Sequence, residues 1–182
     1  MSAKSDFDRY GAVAVAIHWV SAAAIVALLA LGLTAANATD PGLKAAVLRI
    51  HVPLGLAVML LTLVRIAWWW FVDRRPRPPA GMPRWQVTAE SVVRLLMYAL
   101  ILLLGASGTA LVLLSGAAAV LFFHQPGPLA DFWEFPPMPA HFVAAFGLLG
   151  LACVHVAAAL YHHLYRRDGL LTRMGIGRTT TA

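Results

Sequence analysis

The chain has 182 residues, of which 60% are hydrophobic and only 12% charged, and its mean hydropathy is +0.75. Soluble domains carry about 25% charged residues, so this composition excludes a water-soluble globular domain and points to a membrane protein. The net charge of +6 does not indicate a nucleic-acid partner, because the arginines cluster at the ends of apolar runs beside the bilayer and form no stripe with stacking aromatics.

Four runs are long enough to cross a hydrocarbon core, which takes about 20 apolar residues in a helix: about 12–34, 46–71, 91–115 and 140–165. Their apolar residues are continuous rather than alternating, which specifies helices and not barrel strands. The expected fold is all-α, an integral membrane four-helix bundle in one domain. Ahead of the first run stand Lys4 and Arg9, and the run ends in "TAANATD", where Ala36-Asn37-Ala38 looks like a signal-peptidase site. A signal peptide has a core of about 7–15 apolar residues; this one is longer and holds His18 and Trp19, so a membrane helix is expected. The first connection carries Lys44 and Arg49.

The second run opens near His51 and ends at "WWW", residues 68–70, an aromatic belt at the interface. The connection after it, "DRRPRPPAGMPRWQ", reads as a stiff linker with Trp85 at the membrane surface. In the third run a Gly-Ala-Ser-Gly patch at 105–108 suits close helix packing. The third connection, 116–139, contains no lysine or arginine and reads as a loop on the outer membrane surface. The single Cys153 falls inside the fourth run, so neither a disulfide framework nor a thiolate metal site is available. Arg166, Arg167, Arg173 and Arg178 follow in the tail. With Arg74, Arg75, Arg77 and Arg84 in the second connection, the positive-inside rule places that connection and both termini in the cytoplasm.

Ionisable residues inside membrane helices face the bundle interior and are functional candidates by default. The depth of each histidine tells which of them can work together. His18 lies roughly 9 Å below the cytoplasmic start of the first helix, and His155 roughly 15 Å before the cytoplasmic end of the fourth, at about 1.5 Å per residue. On the outer side His51 sits just inside the second helix and His141 opens the fourth. His141 and His155 share one face of the fourth helix, about 21 Å apart along it. Two stacked pairs of facing imidazoles are what two bis-histidine b haems require, in flat slots with small neighbours. Ala14, Ala22, Gly55, Gly147, Ala152 and Ala158 lie near these histidines in sequence. Zinc would need four ligands converging on one point, whereas these come as separated pairs; a lone histidine could instead bond between helices. His162, seven residues after His155, shares its face and is a candidate quinone or proton contact. His163 reads as interfacial and His124 as a surface residue.

The stretches "RYGAVAVAIHW", "HVPLGLAVMLLTLVRIAW" and "HFVAAFGLLGLACVHVAAALYHHLYRRDGLLTRM" resemble the bacterial cytochrome b-561 family, di-haem cytochromes b that include superoxide oxidase. The third is the most specific, combining the spacing of the two histidines with His-His and Arg-Asp-Gly. The resemblance covers nearly the whole chain and implies four helices and two haem b groups. It implies His18 with His155 as axial ligands of the cytoplasmic-side haem, and His51 with His141 for the periplasmic-side one. The family often has a histidine four residues before a tyrosine in the third helix and a proline further on; here Arg94 precedes Tyr98, and Gly105 takes the proline's place. Those departures bear on the substrate or quinone contact, not on the four ligands.

The expected function is transmembrane electron transfer with the quinone pool in a bacterial inner membrane: superoxide oxidised, ubiquinone reduced. Lys44 and Arg49 could attract an anionic donor, with Asp131 and Glu134 opposing them. One alternative is an electron-transfer subunit anchoring a dehydrogenase or a periplasmic c-type cytochrome; another is a non-redox transporter whose histidines bind metal or relay protons. Expected partners are membrane lipid, quinone, and superoxide or a periplasmic redox protein, and the chain is compatible with a homodimer.

Overall fold

The computed structural model describes residues 2–79 and 81–176; Arg178, counted above toward the cytoplasmic charge, lies outside the described residues. Four helices are long and apolar enough to cross a membrane, and among the described residues there is no strand. Helix α1 spans Ala12–Asn37. Its hydroxyl and amide side chains return hydrogens to their own helix: Ser21 to the Ile17 carbonyl at 2.7 Å, Thr34 to Ala30 at 2.9 Å and Asn37 to Leu33 at 2.8 Å. These three groups can then stand at membrane depth without an outside partner.

Helix α2 runs Pro41–Phe71, starting five residues before the expected position. The cause is a cap: Asp40 accepts a hydrogen bond from the Leu43 N–H at 2.7 Å, and Pro41 occupies the first turn, where its missing N–H costs nothing. Helix α3, Arg84–Leu114, likewise begins seven residues early. Its first two turns are polar, so they extend the rod beyond the apolar stretch that hydropathy detects. The chain leaves α3 through Gly116, whose φ of 68° lies in the left-handed region glycine tolerates. The third connection is not a plain loop. It contains a short helix α4, Ala117–Phe122, and a 3-10 turn, Phe132–Glu134, and the Arg49 Nε–H ties α4 to α2 by donating to the Leu121 carbonyl at 2.9 Å. Helix α5, Pro137–Tyr161, continues as a π turn over His162–Arg166. Arg167 and Gly169, at φ 50° and 75°, then reverse the chain into a last turn, α6, Leu170–Arg173.

Packing is closest between α1 and α2 and between α3 and α5, with α2 against α3 joining the two pairs. Helix α5 stands away from α1 and α2 over most of its length. Val58 of α2, Ile101 of α3 and Leu148 of α5 form the buried core, packed against Ala24, Ile25 and Leu28 of α1 and Met97, Leu100 and Leu104 of α3. Gly105 makes the α2–α3 approach possible, since a Cβ there would lie 2.4 Å from Met59 Sδ and 2.7 Å from its Cβ. Most large apolar side chains outside this core are exposed, as lipid-facing surface requires.

At one end the N-terminal segment, the second connection and the tail interlock. Buried Asp73 accepts hydrogen bonds from the Ser5 hydroxyl at 2.8 Å, the Ser5 N–H at 3.1 Å, the Arg74 N–H at 2.8 Å and the Trp68 indole at 3.2 Å. Burial alone would raise the Asp73 pKa, but these four donors outweigh it and hold the carboxyl below the usual carboxylate range. The tail joins the same layer: the Arg173 guanidinium donates to the Arg77 carbonyl at 2.7 Å, and the Trp19 indole to the Met174 carbonyl at 3.0 Å.

Candidate metal centres

The gap between α5 and the α1/α2 pair is bridged by histidines at two levels. His18 of α1 faces His155 of α5 with ring centroids 6.3 Å apart and planes inclined at 62°. His51 of α2 faces His141 of α5 at 6.4 Å and 64°. A metal–imidazole nitrogen bond is roughly 2.0–2.1 Å and the nitrogen lies roughly 1.1 Å from the ring centre, so two rings on opposite sides of one metal would have centroids about 6.3 Å apart. Both pairs match that spacing, and the residues present fit a group whose metal two facing imidazoles would hold. Among the described residues no three of His, Cys, Asp and Glu converge on one point; the donors come in twos.

Leu148 lies seven residues from His141 and seven from His155, so all three fall on one stripe of α5. The apolar core therefore sits between the two pairs and divides the gap into an upper and a lower slot.

The upper pair has a built surround. The Ser107 hydroxyl is 2.6 Å from the Leu103 carbonyl and 3.0 Å from His141 Nδ1. A hydroxyl has one hydrogen, and the short contact to a carbonyl, which can only accept, commits it there. Toward His141 the Ser107 oxygen therefore accepts, so the imidazole carries its proton on Nδ1 and keeps the Nε2 lone pair for a metal. Glycines make room for both rings: a Cβ on Gly32 would meet His51 Cε1 at 3.2 Å, and one on Gly108 would meet His141 Cε1 at 3.2 Å. These are not the small residues singled out by sequence proximity. Gly55 and Gly147 face leucines instead, Leu28 and Leu100.

The lower pair is more open, with His155 exposed and His18 half-buried. Trp19 packs edge-on to His18 with centroids 5.1 Å apart. Arg65 of α2 brings Nη2 to 3.4 Å from His18 Nδ1 and lies over the Tyr98 ring, 5.8 Å from its centroid. Arg94 is turned to its own helix, paired with Glu90 and donating to Ser91 Oγ at 3.1 Å.

His162 lies in the π turn, its side chain 13% exposed, with Nδ1 2.5 Å from Asp168 Oδ2. His163 is exposed, and so is His124, which has a positive φ of 55°. At the far end a cleft of about 300 Å³ is lined by Thr39, Lys44, Val120 and Pro128 among others, and Lys44 Nζ sits 6.0 Å from the Phe132 ring centroid. Arg49 is exposed and donates from Nε to the Leu121 carbonyl, which ties α2 to α4 and leaves its positive charge in place. Sequence reasoning passed over Arg65, Ser107, Gly32, Gly108 and Asp168. The signal available for Ser107 and Gly108 was their place in the small-residue patch.

A family model for prokaryotic cytochrome b561 matches residues 9–177 of the chain. The protein "Cytochrome b561 homolog 2" of Escherichia coli strain K12 is 28% identical over 190 residues, an alignment that covers 100% of this chain and 98% of that relative. No solved structure matches the chain significantly.

Proposed function

The chain belongs to the prokaryotic cytochrome b561 family, and from that premise we propose that it binds two b haems and carries electrons across the bilayer between superoxide and ubiquinone. It is a multi-pass protein of the bacterial inner membrane, and its family is one of haem b-binding membrane cytochromes in electron transfer. The observation that carries the finer reading is the pair of opposed imidazoles at each of two levels, 6.3 and 6.4 Å between centroids.

His18 and His155 would hold one haem, and His51 and His141 the other. When bound, each would supply a one-electron iron couple, and with two histidines holding the iron the transfer would be outer-sphere. The chain's own residues do the rest. Ser107 keeps the His141 proton on Nδ1, the Val58–Ile101–Leu148 layer keeps water from joining the two levels, and α3 and α5 keep the slots at fixed spacing. Two superoxide ions would each lose one electron to become dioxygen, while one quinone takes up two electrons and two protons. Lys44, which lines the far cleft, is the basic group that would meet an anion there. Asp168 holds His162 at Nδ1 and leaves Nε2 as the ring nitrogen for proton delivery at the quinone end. The excess of lysine and arginine at the end carrying the termini supports its cytoplasmic placement.

Haem-to-protein ratio tests the cofactor reading: two haems in the wild type, one in each of His18→Ala and His51→Ala. Stopped-flow mixing of quinone-loaded protein with superoxide tests the reaction, and decay no faster than spontaneous dismutation would remove it.

A further inference from the structure

Arg65 is a cation in the membrane-spanning part of α2 to which the described residues offer no anion. It makes no ion pair among the described residues, and its Nε is buried without a hydrogen-bond partner. The carboxylates at this end of the bundle are engaged elsewhere: Asp6 by the N–H groups of Asp8 and Arg9, Asp8 by Arg173, Asp73 by Ser5 and Trp68, Glu90 by Arg94, and Asp168 by His162. Nor is His18 a lasting acceptor. If its Nε2 gives a lone pair to iron, its Nδ1 keeps the proton, and the 3.4 Å approach of Arg65 Nη2 sets one donor against another. Tyr98, beneath the guanidinium, has a buried hydroxyl that also lacks a partner. Two unpartnered donor groups side by side, one of them at His18, call for an acceptor with several lone pairs and a negative charge, because an unpaired charge at this depth is costly.

Building on the haem reading above, we infer that Arg65 is the counter-ion of a carboxylate on the haem held by His18 and His155. Haem b carries two propionate carboxylates, and a guanidinium pairs with a carboxylate through parallel N–H bonds. The same chemistry could come from the phosphate of a lipid headgroup, and the experiment separates the two.

The His51→Ala background keeps the haem of the lower pair alone. Apoprotein in that background is loaded with haem or with haem dimethyl ester, and release to an excess of apomyoglobin is timed. With Arg65 present, the ester is expected to leave about tenfold faster than natural haem. With Arg65→Gln, the two should leave at equal rates, and with Arg65→Lys part of the difference should return. An ester penalty of the same size with and without Arg65 overturns the inference and leaves a lipid phosphate as the partner. Equal release of both haems from the protein with Arg65 intact overturns it without any change at residue 65. If His51→Ala retains no haem, or two, it is the haem assignment that fails.

Discussion

Removing the Ser107 hydroxyl isolates one hydrogen bond at one of the two levels. In Ser107→Ala the His141 Nδ1–H loses the acceptor that stands 3.0 Å away, and the Leu104 backbone carbonyl is the acceptor left within its reach. A buried donor left wholly unpaired costs about 1–3 kcal/mol, a range whose lower end applies where the Leu104 carbonyl takes over in part, and losing the outer partner of a metal-bound histidine weakens metal affinity about 10–100-fold. These ranges agree, since 1.4 kcal/mol is about tenfold. The helix itself should not suffer, because the hydroxyl's other bond, at 2.6 Å to Leu103, is a back-bond that alanine does not need. The assay is haem release to apomyoglobin followed at the two single-haem backgrounds. With His18→Ala, which keeps the upper haem, Ser107→Ala should speed release about 10–100-fold and Ser107→Thr much less. With His51→Ala, which keeps the lower haem, Ser107→Ala should change nothing. Equal effects in both backgrounds, or none in the first, would refute the assignment of Ser107 as the residue that sets the His141 tautomer.

Other expectations follow from the same geometry. Because its four donors hold the Asp73 carboxyl below the unfolded value of about 3.9, its stabilising contribution is fully present above about pH 4 and fades as the pH falls through the lower folded value. Asp73→Asn should remove that dependence and speed tryptic cleavage after Arg74, the one arginine of 74, 75 and 77 that no proline follows; cleavage unchanged at neutral pH would count against the interlock. Gly105→Ala should destabilise the detergent-solubilised protein by about 1–3 kcal/mol through overpacking on Met59, and Met59→Ala should relieve part of it, a thermal shift in the double variant being the measure. Arg49→Ala should leave the haem content intact and make the 116–136 segment more open to protease, by loss of a bond worth about 1–3 kcal/mol; altered haem content instead would show that α4 supports the upper slot.

The four spans and the two histidine levels were legible because hydropathy and helical rise are one-dimensional quantities. His141 and His155 occupy the same helix, and counting residues suffices to separate them along it. The start of α2 was legible too, in Asp40-Pro41, but hydropathy is blind to caps and Lys44 pushed the apparent boundary inward. Azimuth is a different matter. Gly32 and Gly108 serve the histidine rings, and Gly55 and Gly147 do not, because of how α1 and α3 are rotated toward their neighbours. That rotation is set by three-dimensional packing, including the Gly105–Met59 approach. Arg65 was passed over for a related reason: within six residues of the end of α2 it reads as an interfacial anchor, and only the structure shows its Nε buried and every nearby acid committed elsewhere.

The interlock at the terminal end joins residues from the beginning, middle and end of the chain: Ser5, Asp73 and Arg173. Synthesis proceeds from the N-terminus, so Asp73 can engage Ser5 as soon as two helices are inserted, whereas Arg173 reaches Arg77 only after the last helix has emerged. These are contacts of high sequence separation, whose closure entropy must be met before they stabilise anything. The layer thus assembles in two stages, and its second stage is possible only once the fourth membrane-spanning helix has been made.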